Sequence, residues 1–141
     1  MNLNVGLVGH GRWGKRHLET LIQLKKEGRI QHISICDLDP DRLVNLSKQV
    51  DSTFTNLDRM LDAGVVNCIA VVTPPNSHLE LASRAVERNI PVLIEKPLSD
   101  RLEQEPEFLN SLNRGDTLVT GFLLRHHEGV EAMKQQLAEG A

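Results

Sequence analysis

Three glycines near the start of the chain and one acid further on are spaced for holding a phosphate and the sugar beside it. The glycines lie in Val5-Gly6-Leu7-Val8-Gly9-His10-Gly11-Arg12-Trp13-Gly14, a G-x-G-x-x-G run that closes an alternating apolar stretch. In such a run Gly9 permits the tight turn, Gly11 lets backbone approach a pyrophosphate, and Gly14 lets a helix pack closely on the strand. The helix opening there presents unpaired N–H groups and the positive end of its dipole to the phosphates. Arg12 and Trp13 sit inside the same turn. Trp13 is expected to pack over the first helical turn, with its backbone N–H available to phosphate.

The acid is Asp37. It closes a second apolar run, Ile30 to Cys36, and stands about 20 residues past the last glycine, where a carboxylate accepts from the adenosine ribose 2′-OH. Leu38 follows, with no Arg or Ser there to receive a 2′-phosphate, so NAD is preferred over NADP. The stretch Asp37-Leu38-Asp39-Pro40 also reads as a plain strand-to-helix turn, with Asp39 as N-cap and Pro40 at N1. Both readings hold together, because the cap uses Asp39 and leaves Asp37 free. Two further polar runs end apolar stretches: Thr73-Pro74-Pro75-Asn76-Ser77-His78 and Glu95-Lys96-Pro97. The first alone is also a turn and helix entry capped by Asn76 or Ser77, and the second is also a solvated strand exit.

These residues need a frame that brings them to one edge. Leu3–Val8 reads as a strand and Trp13–Glu27 as a helix stopped by Gly28. A strand over Ile30–Cys36 and a helix over Asp41–Val50 follow. Ser52–Phe54 reads as a short strand and Leu57–Ala63 as a short helix, capped by Asn56 or Thr55. Val66–Val72 is almost unbroken apolar sequence, the mark of a parallel strand buried on both faces. Next come a helix near Ser77–Asn89, a strand over Pro91–Glu95 and a helical stretch over Ser99–Asn113 in which Pro106 starts a second helix. Thr117–Phe122 reads as a sixth strand, and Glu128–Glu139 as an amphipathic helix with Val130, Met133 and Leu137 inward. Six strands alternating with helices predict a doubly wound, mainly parallel α/β sheet, a Rossmann fold, in one domain over residues 1–141. Right-handed crossovers then set the strand C-terminal ends, and the ligand, along one edge.

Composition narrows the function classes. The chain has 141 residues, with 40% hydrophobic, 25% charged and a formal net charge of −3, and no Lys/Arg block exceeds two in a row. Nucleic-acid binding has no electrostatic support in that pattern. No apolar stretch approaches the ~20 residues of a membrane span, and the polar start does not read as a signal peptide, so cytoplasmic is the default location. Cys36 and Cys68 fall inside strands and read as core thiols in a reducing compartment. The six histidines form no ligand spacing, so no metal is expected.

Taken in order, G-x-G-x-x-G, T-P-P-x-x-x-H and E-K-P resemble the glucose–fructose oxidoreductase / inositol dehydrogenase / MocA family of NAD(P)-dependent oxidoreductases, over the whole chain. The resemblance implies that Thr73, Pro74 and Asn76 line the ribose and nicotinamide side of the cofactor, with His78 supporting that loop. It implies that Glu95 hydrogen-bonds the nicotinamide ribose. Lys96 would sit beside the nicotinamide and the substrate carbinol, as the one catalytic residue present, after which a cis Lys96-Pro97 bond is implied. Arg125 falls where the family often has a substrate-side arginine, and Glu128 where many members have proline. His126 and His127 read as surface or interdomain polar residues.

Family members are normally more than twice as long, with a second α/β domain that carries the substrate pocket and the acid–base residues. The chain stops close to where that domain would begin, so the expectation is a cofactor-binding unit that is catalytically incomplete alone. It would act on a sugar, polyol or nucleotide-sugar once the other half is supplied by a partner chain or the rest of the protein, with a homo-oligomer open. The alternative is a stand-alone nucleotide-binding sensor or non-catalytic homologue. A Rossmann fold for coenzyme A or S-adenosylmethionine is a third reading, and E-K-P argues against it.

Overall fold

Hydrophobic runs that alternate with amphipathic helices can bury both faces of a sheet, and this chain does so. The computed structural model describes residues 2–113, 115, 117–122 and 127–139. Six strands, β1 (Asn4–Val8), β2 (His32–Cys36), β3 (Ser52–Phe54), β4 (Cys68–Val71), β5 (Val92–Ile94) and β6 (Leu118–Thr120), form one sheet in the order β3-β2-β1-β4-β5-β6. Every neighbouring pair is parallel. The order reverses between β1 and β4, and in such sheets the crevice at that switch point, outside the strand C-termini, is where ligands bind.

Alternation along the central strands divides the core. Val5 and Leu7 of β1 pack with Ile33, Ile35, Ala70 and Leu18 on one face, beneath helix α1 (Arg12–Lys26). Val8, Ile69, Val71 and Ile94 pack on the other face against α2 (Leu57–Asp62), α3 (His78–Val86) and α4 (Glu105–Ser111). Gly6 faces the second cluster, where Met60 Cε lies 2.8 Å from the place a Cβ would occupy. Pro106 stands in the first turn of α4, as the sequence predicts. Asn56 caps α2, its side chain accepting from the Arg59 N–H at 3.0 Å.

Two expectations about the helices fail. The helix predicted over Asp41–Val50 is two short 3-10 turns, Pro40–Leu43 and Leu46–Lys48. Asn45 between them has φ 65°, a left-handed conformation that asparagine tolerates and that breaks the helix. Leu43, Leu46 and Val50 still reach the core, so the apolar spacing was real while the helix was not. The second failure is α5 (Glu128–Ala138), which buries none of its residues and leaves Met133 62% and Leu137 70% exposed. A stripe of apolar side chains reports a face, and here no described element covers it. His127 caps that helix, its Nδ1 accepting from the Gly129 N–H at 3.1 Å. Arg125 and His126 lie outside the described residues.

Candidate functional site

The end of β1 fixes the first wall of the site. Gly9 has φ 96°, and a Cβ there would lie 2.5 Å from the Val72 carbonyl oxygen, so only glycine fits beside β4. At Gly14 a Cβ would lie 2.0 Å from the Gly9 carbonyl oxygen, which is the close approach of α1 to the turn. Gly11 differs. It N-caps α1 with ordinary negative φ, and among the described residues the one atom near the place of its Cβ is Arg42 Nη1, 3.8 Å away. Nothing among the described residues forbids a side chain at Gly11; the space above it belongs to the cleft. The first N–H groups of α1 have no intrahelical acceptor and serve that same space.

A cleft of about 840 Å³ opens along the strand ends, lined by Gly9, Gly11, Arg12, Trp13, Asp37, Thr73, Pro74, Glu95 and Lys96 among others. Thus nine of the residues singled out in the sequence share one cavity, drawn from the segments that follow β1, β2, β4 and β5 and from the first turn of α1. Trp13 departs from its expected packing: its side chain is 66% exposed at the cleft wall. The contact of Gly14 with Gly9 sets which side of α1 faces the strand, and the neighbouring Trp13 points outward. Asn76 is exposed and does not line the cavity. His78 is fully buried behind it, with ring nitrogens 2.8 Å from the Thr73 carbonyl and 2.9 Å from the Pro97 carbonyl. It therefore ties the loop after β4 to the turn after β5. Thr73 Oγ1 and Ser77 Oγ lie 2.8 Å apart, and Ser77 donates to the Pro74 carbonyl, closing the same loop.

Asp37 is 7% exposed and held from behind. Oδ2 accepts from the His10 N–H at 2.7 Å and Oδ1 from the Asp39 N–H at 2.9 Å. An ionised carboxylate has about four acceptor positions, so two remain for a vicinal diol. Asp39 is also the cap the sequence expects, accepting from the Asp41 N–H at 3.0 Å. Cys36, next to Asp37 on the cleft floor, is a free thiol whose pKa is pushed up to about 11 by burial and by the Asp37 charge.

The residues sequence reasoning missed are Arg42, His10 and His17. Arg42 lies 3.6 Å from Asp37 and 3.3 Å from Asp39, and its guanidinium is half exposed in the cleft beside Gly11. His10 accompanies it, with Nδ1 2.8 Å from the Arg42 carbonyl. His17 Nε2 lies 2.7 Å from Glu95 Oε1. Arg42 had a weak sequence signal, a cation five residues past the ribose acid; His17 had one in its place three residues after Gly14. The Lys96–Pro97 peptide is cis, in agreement with the resemblance. Among the described residues no cluster of three His, Cys, Asp or Glu side chains is placed to hold a metal ion, and no helix is long and apolar enough to cross a membrane.

The model of an oxidoreductase family with an NAD-binding Rossmann fold, GFO_IDH_MocA, matches residues 3–122. The chain belongs to this family. It is 30% identical over 143 residues to inositol 2-dehydrogenase 4 of Saccharopolyspora erythraea, covering 99% of this chain and 42% of that protein. Among solved structures it resembles myo-inositol 2-dehydrogenase from Lactobacillus plantarum, at 25% identity and a TM-score of 0.86 over 99% of this chain and 42% of the other. Scyllo-inositol dehydrogenase from Lactobacillus casei, solved with NAD(H) and scyllo-inositol, shares the fold at 23% identity and a TM-score of 0.86, again over 99% and 42%. The chain thus spans about two-fifths of the length of these relatives. As a member of the GFO_IDH_MocA family it carries that family's NAD-binding Rossmann fold.

Proposed function

We propose that residues 1–141 are a single dinucleotide-binding unit of a cytoplasmic oxidoreductase that moves a hydride between NAD and a hydroxyl or carbonyl of a sugar, polyol or nucleotide-linked sugar. The observation that carries this reading is Gly11. Its missing side chain is required by no neighbour among the described residues, and it borders an open cleft beside the N-terminus of α1. A pyrophosphate backed by those N–H groups accounts for it. Asp37 takes the adenosine ribose, with its carboxylate already fixed by two backbone donors. Thr73 and Pro74 flank the nicotinamide side. Glu95 takes the second ribose and Lys96 stands beside the reacting carbon. When bound, the nicotinamide supplies or accepts the hydride, and the protein supplies orientation and charge.

The inositol dehydrogenases among the relatives support a polyol-like substrate. Lys96, exposed at the strand edge, has no carboxylate partner among the described residues and is free to orient a substrate hydroxyl. It furnishes one part of the proton chemistry, and the remainder comes from residues outside 1–141 or from a partner chain. NAD is preferred because the Asp37 carboxylate repels a 2′-phosphate, although Arg42 beside it softens that repulsion. Calorimetric titration with NADH and then NADPH tests the proposal. Saturable NADH binding, tighter than NADPH, is expected; absence of binding by either up to millimolar cofactor would refute it and favour a non-catalytic role for the fold.

A further inference from the structure

Two carboxylates in the cleft are each pinned by two N–H donors. Asp37 receives two backbone N–H groups from behind, as described above. Glu95 receives His17 Nε2 on Oε1 at 2.7 Å and the Lys96 N–H on Oε2 at 3.1 Å. A carboxylate only accepts, so the His17 proton is on Nε2. The side chains are 26% and 17% exposed. His17 is on the second turn of α1, the helix capped by Gly11, and Glu95 lines the cleft beside Lys96. The carboxylate of Glu95 also lies against Gly121 past the end of β6, where a Cβ would be 3.6 Å from Oε2. Held between α1 and the ends of β5 and β6, Glu95 keeps about two acceptor positions, as Asp37 does.

We infer that His17 is a positioning residue that fixes the Glu95 carboxylate to accept the vicinal hydroxyls of the second, nicotinamide-side ribose. The cleft then has one pre-aimed carboxylate for each ribose of a dinucleotide, Asp37 held by main chain and Glu95 held by His17. The inference rests on the proposed dinucleotide site. Its consequence is selective, because loss of His17 loosens only the nicotinamide end.

Titration of the chain with NADH and with ADP, which lacks the second ribose, separates the two ends. His17→Phe removes the donor, and His17→Gln keeps an amide N–H at a similar reach. His17→Phe should bind NADH about tenfold more weakly, the loss of one hydrogen bond to a charged group, and ADP unchanged within about twofold. His17→Gln should recover most of the NADH affinity. Adding His17→Phe to Glu95→Gln should weaken NADH no further than Glu95→Gln alone. Thermal melts of each variant verify folding. Equal losses for NADH and ADP, a silent His17→Phe, or a His17→Gln no better than Phe would each overturn the positioning role while leaving the dinucleotide site intact. Failure of the unsubstituted chain to bind either ligand would overturn both.

Discussion

Replacing Gly11 by Val should remove cofactor binding while leaving the fold almost unchanged, whereas replacing Gly14 by Ala should damage the fold. The contrast follows from what a Cβ meets. At Gly11 the backbone is at φ −74° and ψ −160°, open to any residue, and the nearest atom is a half-exposed arginine nitrogen at 3.8 Å. Valine there gives up a modest N-cap preference and regains part of it by stiffening the unfolded chain, a net change within about 1 kcal/mol, or roughly 3–5 °C in melting temperature. The added methyl groups enter the space above the first N–H groups of α1, where the pyrophosphate must touch backbone. An affinity loss of at least about a hundredfold, roughly 2.7 kcal/mol, is expected. At Gly14 even one methyl carbon falls 2.0 Å from the Gly9 carbonyl oxygen and 2.9 Å from its carbon. The helix must move by more than an ångström, which costs beyond the ~1–3 kcal/mol of ordinary overpacking. Thermal melts and NADH titrations of both variants decide the matter. A Gly11→Val chain that binds NADH within about threefold of the parent refutes the phosphate-turn assignment, and a Gly14→Ala chain that melts normally refutes the helix-on-strand contact.

Three further outcomes are expected. Asp37→Ser should weaken NADH and narrow or reverse the preference over NADPH, since Arg42 keeps Asp39 but loses the Asp37 carboxylate 3.6 Å from its Nη1, which is then open to a 2′-phosphate; adding Arg42→Ala should cancel the NADPH gain, and an unchanged cofactor ratio would exclude Asp37 as the discriminating group. Cys36 should resist iodoacetamide near pH 8, because burial and the Asp37 charge hold its pKa at about 11, and alkylation as fast as a free thiol would contradict its buried setting. For Asp51, burial raises the pKa, but hydrogen bonds from Lys25 and the Ile33 N–H and the nearby positive charge outweigh it, so the net shift is downward. A carboxyl lowered in the folded state stabilises above its unfolded value, about pH 4, and loses that contribution as pH falls through the folded value. Asp51→Asn should therefore flatten the acid limb of a denaturation series by about 0.5 kcal/mol, the surface-pair scale; an identical acid limb would exclude the contribution.

The strands were readable because parallel strands buried on both faces must be almost wholly apolar, as Val66–Val72 is, and because the glycine turn, Asp37 and the proline-rich strand exits announce where they end. Local pattern failed where a single residue decided the backbone. Leu43, Leu46 and Val50 have helical spacing, yet Asn45 turns left-handed between them. It failed again at α5, where Val130, Met133 and Leu137 form a stripe whose covering surface no local pattern can name. The site was legible to the extent that each strand end carries its own chemistry. Contacts made across the fold were not: His17 meets Glu95 across 78 positions of sequence, and Arg42 reaches Asp37 only because the 3-10 turn at Pro40 folds it back.

Trp13 offers the most direct measurement, since it is the chain's single tryptophan and stands in the cleft wall. NADH bound against Gly9–Gly14 should quench its emission and itself fluoresce by energy transfer, saturably and below millimolar cofactor. The same titration on Gly11→Val should give neither signal. Tryptophan emission indifferent to NADH in the parent chain, or identical quenching in Gly11→Val, would contradict a dinucleotide seated on this turn.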